Sequence, residues 1–312
     1  MKVTIDQAIE IIKKGGIVAM PTETVYGLAA DATNLNSIKK TFEVKGRPQD
    51  NPLIVHISSV NHLTLFAENI PEDAYKLAEH FWPGPLTLVL DKKSTVLDAV
   101  TAGLDTVALR MPDHSTALEL ISKTGPVTAP SANLSGKPSP TRPAHIEADY
   151  GDTVGYLDGG STRIGIESTV LNMASKPYSI LRPGSVTKSD LENVLNQEVL
   201  VESDADSLIK SPGTRYSHYK PDAKVKWLRN DQQLFPDSDS LYILHSSSYD
   251  TVNADNIYHF NGDYDEFARL LYDLFRTADQ LNYKTIYIEP FPADTKNSFT
   301  AALTNRISKA IS

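Results

Sequence analysis

Residues 16–28 read G-I-V-A-M-P-T-E-T-V-Y-G-L, and residues 45–57 read K-G-R-P-Q-D-N-P-L-I-V-H-I. Two apolar runs, 17–20 and 53–57, predict strands on either side of a helical interval. Between them stand Thr22, Glu23, Thr24, Tyr26, Lys45, Arg47, Asn51 and His56, with Gly27, Gly46, Pro48 and Pro52 restricting or freeing the backbone. A plain surface turn has no need of two cations, several hydroxyls and such backbone control at both ends of one helix. The two halves together read as a pocket built for an anionic ligand.

Working outward, Thr4 followed by Gln7 makes a capping-box pattern, and Ile5, Ala8, Ile9 and Ile12 share one helical face that Gly15-Gly16 ends. Residues 35–45 predict a short helix ending at Gly46. Pro71 marks the first turn of another, with Ala74, Leu77, Ala78 and Phe81 on one face, stopped by Trp82-Pro83-Gly84-Pro85. Strands are expected at 86–90 and 106–110, and a helix at about 115–123. Arg110 closes an apolar strand, so its charge needs a partner or a pocket. Residues 126–136 (P-V-T-A-P-S-A-N-L-S-G) leave a strand for a loop of small residues and hydroxyls, which lets backbone approach a ligand and donate to phosphate oxygens. Closely spaced strands are expected over 153–187, with Arg182 at another strand end, and a helix near 188–196.

Length and composition set the limits. At 312 residues two domains are expected, and 40% hydrophobic content suffices for ordinary cores. No cysteine is present, which excludes disulfides, thiolate metal sites and thiol nucleophiles. No run of 18 apolar residues spans a membrane, and the N-terminal stretch has no apolar signal core, so a cytoplasmic location is expected. The balance of 39 Asp+Glu against 30 Lys+Arg argues against a general nucleic-acid coat protein. G-x-x-x-x-G-K-[ST], H-E-x-x-H, G-x-S-x-G and G-x-G-x-x-G are absent, and the histidines make no zinc spacing. The chain therefore divides into a first domain (1–205), a linker (206–222) and an α/β C-terminal domain (223–312). The linker carries S-P-G-T-R-Y-S-H-Y-K-P at 211–221, too rich in aromatic and basic residues for a passive spacer, and reads as docking back on the first domain. In the last part, strands near 224–229, 241–245, 256–260 and 284–289 alternate with helices near 263–280 and 297–310, predicting a small parallel sheet.

P-T-E-T-V-Y-G-L (21–28), K-G-R-P-x-x-N-P-L-x-x-H (45–56), W-P-G-P-L-T (82–87), R-x-P (110–112), A-P-S-A-N-x-S-G (129–136) and S-T-V (168–170) together resemble the YrdC-like family. With the 211–221 linker, the whole chain is similar to the long, two-domain threonylcarbamoyl-AMP synthases. That resemblance implies a twisted mixed sheet with flanking helices around a concave cavity, plus a smaller Rossmann-like C-terminal domain. It implies a nucleotidyltransferase reaction in which L-threonine, bicarbonate (or CO2) and ATP give threonylcarbamoyl-adenylate and pyrophosphate. The product then goes to a threonylcarbamoyl-transferase complex that modifies ANN-decoding tRNA. Threonine contacts carried over by motif are Thr24, His56, Arg110, the backbone at Ala129, and Ser168. Nucleotide contacts are Arg47, Asn51, Thr106, Ser131, Ser139, Arg182 and Tyr219. Lys45 joins Arg47 in a catalytic cationic cluster facing the phosphates or the carbamate. The Arg110 fork is expected to bind both carboxylate oxygens of threonine, Tyr219 to act as a lid, and Mg²⁺ to arrive with ATP rather than in a protein cage.

A second reading treats Lys45, Arg47, Arg110, Lys137, Arg142 and Arg182 as an RNA-binding face without turnover. The acidic net charge and the Thr/Ser/Asn lining weigh against it. A carbamoyl transferase using carbamoyl phosphate ranks lower, because the zinc-finger and acylphosphatase-like segments expected there are missing.

Overall fold

The first helix, Ile5–Lys13, starts on the capping box: the Thr4 hydroxyl accepts from the Gln7 amide, and the Gln7 side chain accepts from the Thr4 amide. The computed structural model describes residues 1–202, 219–229, 237–246, 254–292 and 299–311. Of the linker read at 206–222, residues 206–218 lie outside the described residues, as do 297–298 of the expected last helix.

Ten strands of the first domain form one mixed sheet: β1 (Val18–Met20), β2 (Gly27–Asp31), β3 (Ile54–His56), β4 (Leu86–Asp91), β5 (Thr106–Arg110), β6 (Val127–Thr128), β7 (Gly155–Tyr156), β8 (Thr169–Asn172), β9 (Ser179–Arg182) and β10 (Leu200–Val201). Their order across the sheet is β10-β9-β8-β4-β5-β3-β6-β2-β1-β7. β3 and β5 run parallel, with His56 opposite Arg110, and β6 runs antiparallel to β3. β4 is antiparallel to β5 and parallel to β8, which places Leu86 opposite Thr169. Because side chains alternate faces, Val55, Leu109 and Leu171 enter a large core with Leu77, Leu88 and Trp82, covered by helices Leu35–Lys45, Glu72–Phe81 and Lys188–Leu195. The opposite face carries a small cluster of Ile54, Val89, Ala108, Val170 and Leu181. His56 and Arg110 lie one pleat from Ile54 and Ala108, on that second face.

Three features depart from the sequence expectations. Pro71 is the N-cap of Glu72–Phe81, one residue before the first turn. Residues after Tyr26 continue as strand β2, and Pro143–Tyr150 forms a helix within the stretch that follows the small-residue loop.

The second sheet contains β11 (Lys224–Trp227), β12 (Ser240–Leu244), β13 (Ile257–His259) and β14 (Thr285–Ile288), ordered β11-β14-β12-β13 with every pairing parallel. Helices Tyr264–Gln280 and Thr300–Ile311 pack on it, the first through Phe267, Leu271 and Phe275. This is the parallel α/β unit that strand–helix alternation predicts, Rossmann-like in kind. Its core also takes in Val25, Ile166 and Tyr219 from outside the sheet. Polar bonds tie the domains together: the Arg276 guanidinium spans both oxygens of Asp149 at 2.9 and 2.7 Å, and Asp273 accepts from Arg142 at 2.8 Å and meets His145 at 2.9 Å. No described helix is long and apolar enough to cross a membrane.

Candidate active site

The second face of the ten-stranded sheet opens into a cleft of about 680 Å³, part of it continuous with solvent. Six separate segments of the first domain, and Tyr219 beyond them, line it. The loop between β1 and β2 gives Thr22, Thr24 and Val25; the segment entering β3 gives Arg47, Pro52 and Leu53. Strands β3 and β5 give Ile54, His56 and Arg110; the small-residue loop gives Ala129, Ser131, Asn133 and Lys137; Glu167 and Ser168 come from the segment just before β8, and Arg182 ends β9.

Local rules explain most of these placements. Thr22 folds the first loop on itself: its hydroxyl donates to Val25 O at 2.7 Å and accepts from the amides of Thr24 and Val25. Gly46 ends helix Leu35–Lys45 in the left-handed conformation (φ 59°), which turns the chain so that Arg47 faces the cleft. Arg47 Nη2 is steadied by the carbonyls of Asn51 and Pro52 at 3.3 and 3.0 Å. Gly27 permits β2 to lie against Ala129, since a Cβ there would stand 3.0 Å from the Ala129 Cβ.

Arg110 is buried, and its fork is already held. Nε donates to Gly84 O at 3.2 Å, Nη1 to Thr24 Oγ1 at 2.9 Å, and Nη2 to Glu23 Oε1 at 2.6 Å. Glu23 thus already pairs with the charge expected to bind the threonine carboxylate, and two N–H groups remain of the five that guanidinium carries. Beside it, burial and the Arg110 charge hold His56 down to about 3, so its imidazole is neutral, with Nδ1 3.3 Å from Ile54 O. Ser168 Oγ shares a 2.8 Å bond with Thr87 Oγ1 and accepts from Arg182 Nη2 at 3.1 Å; Arg182 also bonds Ser168 O.

Of the residues singled out from the sequence, Thr24, Arg47, His56, Arg110, Ala129, Ser131, Ser168, Arg182 and Tyr219 meet around this cleft. Four do not line it. Lys45 is buried behind the wall, its ammonium donating to the carbonyls of Ser131 and Asn133, and burial followed by the Arg47 charge pushes its pKa well down. Lys45 thus braces the small-residue loop instead of facing the cleft. Asn51 is buried beside Arg47, and Ser139 donates to Glu167 Oε1 at 2.6 Å from behind. Thr106 begins β5, at the end away from Arg110 and paired with Asp91. Sequence reading gave no role to Glu23, which sits inside P-T-E-T-V-Y-G-L, or to Glu167, which immediately precedes S-T-V (168–170). A carboxylate next to the hydroxyls of a site meant for anions is the signal that marks them.

The family model described as "Telomere recombination" matches residues 10–184, and that described as "Threonylcarbamoyl-AMP synthase, C-terminal domain" matches residues 186–312. A threonylcarbamoyl-AMP synthase of Pyrococcus abyssi is 42% identical over 316 residues, covering 96% of this chain and 91% of the relative. The chain belongs to the threonylcarbamoyl-AMP synthase family. A family member from Bacillus subtilis is 50% identical over 226 residues, 71% of this chain and 65% of the relative. The crystal structure of P. abyssi Sua5 complexed with L-threonine superposes with a TM-score of 0.86 at 38% identity, over 98% of this chain and 94% of that one. The family's two-domain architecture is thus present throughout the described residues.

Proposed function

We propose that this chain makes threonylcarbamoyl-adenylate from L-threonine, bicarbonate (or CO2) and ATP, releasing pyrophosphate. The observation that carries this reading is the convergence of Arg47, Arg110 and Arg182 with threonine and serine hydroxyls on one concave cleft, in a chain whose relatives bear the name of that synthase. Every reactant is anionic at some stage, so like charges have to be brought together. Buried cations and hydroxyl donors offset that repulsion where water is excluded.

Two bonds form. The threonine amine joins the carbon of bicarbonate as water leaves, giving a carbamate. A carbamate oxygen then attacks the α-phosphorus of ATP, and the bond to the departing pyrophosphate breaks. Around Arg110, the Thr24 hydroxyl, neutral His56 and Ser168 suit the amino acid, while Arg47, Ser131, Arg182 and Tyr219 suit the nucleotide. Holding the reactants in line supplies up to about 7–11 kcal/mol of the barrier. The surrounding guanidinium groups favour the neutral form of the threonine amine, the form that reacts.

Mg²⁺ would be held by the triphosphate oxygens and would neutralise part of their charge. The two carboxylates at the cleft, Glu23 and Glu167, are bonded to arginines, which suits a metal carried by the nucleotide. The adenylate would be consumed by a threonylcarbamoyl-transferase complex acting on tRNA, a use with which a cytoplasmic location agrees. The RNA-binding alternative is not favoured, because Arg110 and Arg182 are buried in the cleft instead of presented on a face.

Pyrophosphate release from ATP, bicarbonate and Mg²⁺, with and without L-threonine, tests the reading on the intact chain and on Arg110→Ala. Threonine-dependent release that disappears in the variant is expected. No release from the intact chain overturns the synthase, and release that survives in Arg110→Ala overturns the assignment of the amino-acid site.

A further inference from the structure

We propose that Arg306, in the last helix of the second domain, is a positioning residue for the nucleotide side of the cleft, acting through Glu167. The inference rests on the synthase reading. Glu167 lines the cleft immediately before Ser168, and a carboxylate there opposes a triphosphate. Ser139 Oγ and the Tyr272 hydroxyl donate to it at 2.6 and 3.0 Å, but both are neutral. A full positive charge is bonded to it as well: Arg306 Nε lies 2.8 Å from Oε2, and Nη2 reaches the Glu167 carbonyl at 3.4 Å. Arg306 is completely buried, although it lies 139 residues along the chain from Glu167. Burial pushes the Glu167 carboxyl up; the Arg306 and Arg182 charges and the bonds from Ser139 and Arg306 outweigh that and hold it at about 2.

The same two second-domain side chains seat the end of the linker. Tyr219 stacks on Tyr272 with ring centroids 5.3 Å apart, and the Arg306 guanidinium stands 5.6 Å from the Tyr219 ring. Tyr219 is itself a wall of the cleft. Arg306 therefore does two things at one place: it cancels an anion that faces the nucleotide, and it supports the aromatic wall. A buried ion pair is a weak source of stability; the position of its carboxylate on the cleft is what gives this one a use.

The test uses the full chain as wild type, Arg306→Met, Arg306→Lys, Glu167→Gln and the Glu167→Gln/Arg306→Met double variant. ATP affinity is measured by titration calorimetry without threonine, beside the KM for ATP and kcat from pyrophosphate release. Arg306→Met is expected to weaken ATP binding about tenfold or more, with a smaller change in kcat at saturating ATP. Arg306→Lys recovers part of the loss. Glu167→Gln is expected to weaken ATP binding less than Arg306→Met, and the double variant returns to within about threefold of wild type. An Arg306→Met protein that melts earlier but binds ATP normally, a double variant no better than Arg306→Met, or a Glu167→Gln loss equal to that of Arg306→Met each overturns the proposal. Should Arg306→Met fail to fold, Arg306→Lys, which retains the buried positive charge, and the double variant, which strands neither charge, decide the matter. Wild type that binds ATP yet releases no threonine-dependent pyrophosphate overturns the synthase reading alone.

Discussion

Arg110 was legible as a strand-end charge that needs a partner or a pocket, and it has both. Its partner, Glu23, was not identified, because the two are 87 residues apart and nothing local couples them. The pair is buried on both sides, at 4% and 1% side-chain exposure, so removing one member strands the other charge. Glu23→Ala is expected to destabilise the protein by about 3–5 kcal/mol in urea unfolding, and to raise the KM for threonine because Arg110 loses its brace. His56 sets a pH dependence. Its folded value of about 3 lies below the ordinary 6.5, so between those values the unfolded chain binds a proton that the folded chain refuses. Stability is full above 6.5 and falls as pH drops from 6.5 toward 3. Denaturant titrations of wild type and His56→Gln across that window check this: the variant should show the shallower loss.

At the level of elements, the helices and strands with strong local signals were readable. Thr4 and Gln7 cap as their spacing says, 106–110 is a strand from end to end, and the last domain alternates into a parallel sheet. Strand β2 was not readable: Gly-Leu-Ala-Ala-Asp has little β preference, and pairing with β1 and β6 on its two sides makes it a strand. Helix Pro143–Tyr150 was hidden by the run of prolines before it and by its brevity. The cleft could be inferred from motifs, but not its depth: Lys45 and Thr106 were grouped with its lining, and only the wall carbonyls and the strand direction separate them. One glycine marks how closely these elements meet. A Cβ on Gly184 would stand 2.4 Å from Thr169 N and 2.7 Å from Ser168 C. Gly184→Ala should therefore displace the start of β8, lowering the melting temperature and moving the threonine KM through Ser168.

For the whole molecule, the second domain is packed against the site itself. Gly165 sits in the left-handed region (φ 84°), and a Cβ there would meet Ala268 O at 2.3 Å. Gly165→Ala should cost about 1–2 kcal/mol in backbone strain alone and loosen the two domains, read as faster proteolysis between them. Acid should act on the same junction. The Glu167 carboxyl titrates at about 2 when folded against an ordinary 4.5, so its contribution is full above 4.5 and is lost as pH falls toward 2. Glu167→Gln should flatten the acid limb of the stability curve over that interval. None of these cross-domain pairs could be read from spacing, since each joins residues more than a hundred positions apart. The distance from Glu167 to Arg306 has a consequence for a chain still on the ribosome. With 139 residues left to make, at roughly 5–20 residues per second, the carboxylate waits roughly 7–28 s for its counter-charge. If Arg306 acts as proposed, a first domain that folds during that interval is expected to bind ATP more weakly than the finished chain, which ATP titration of a ribosome-stalled chain would check.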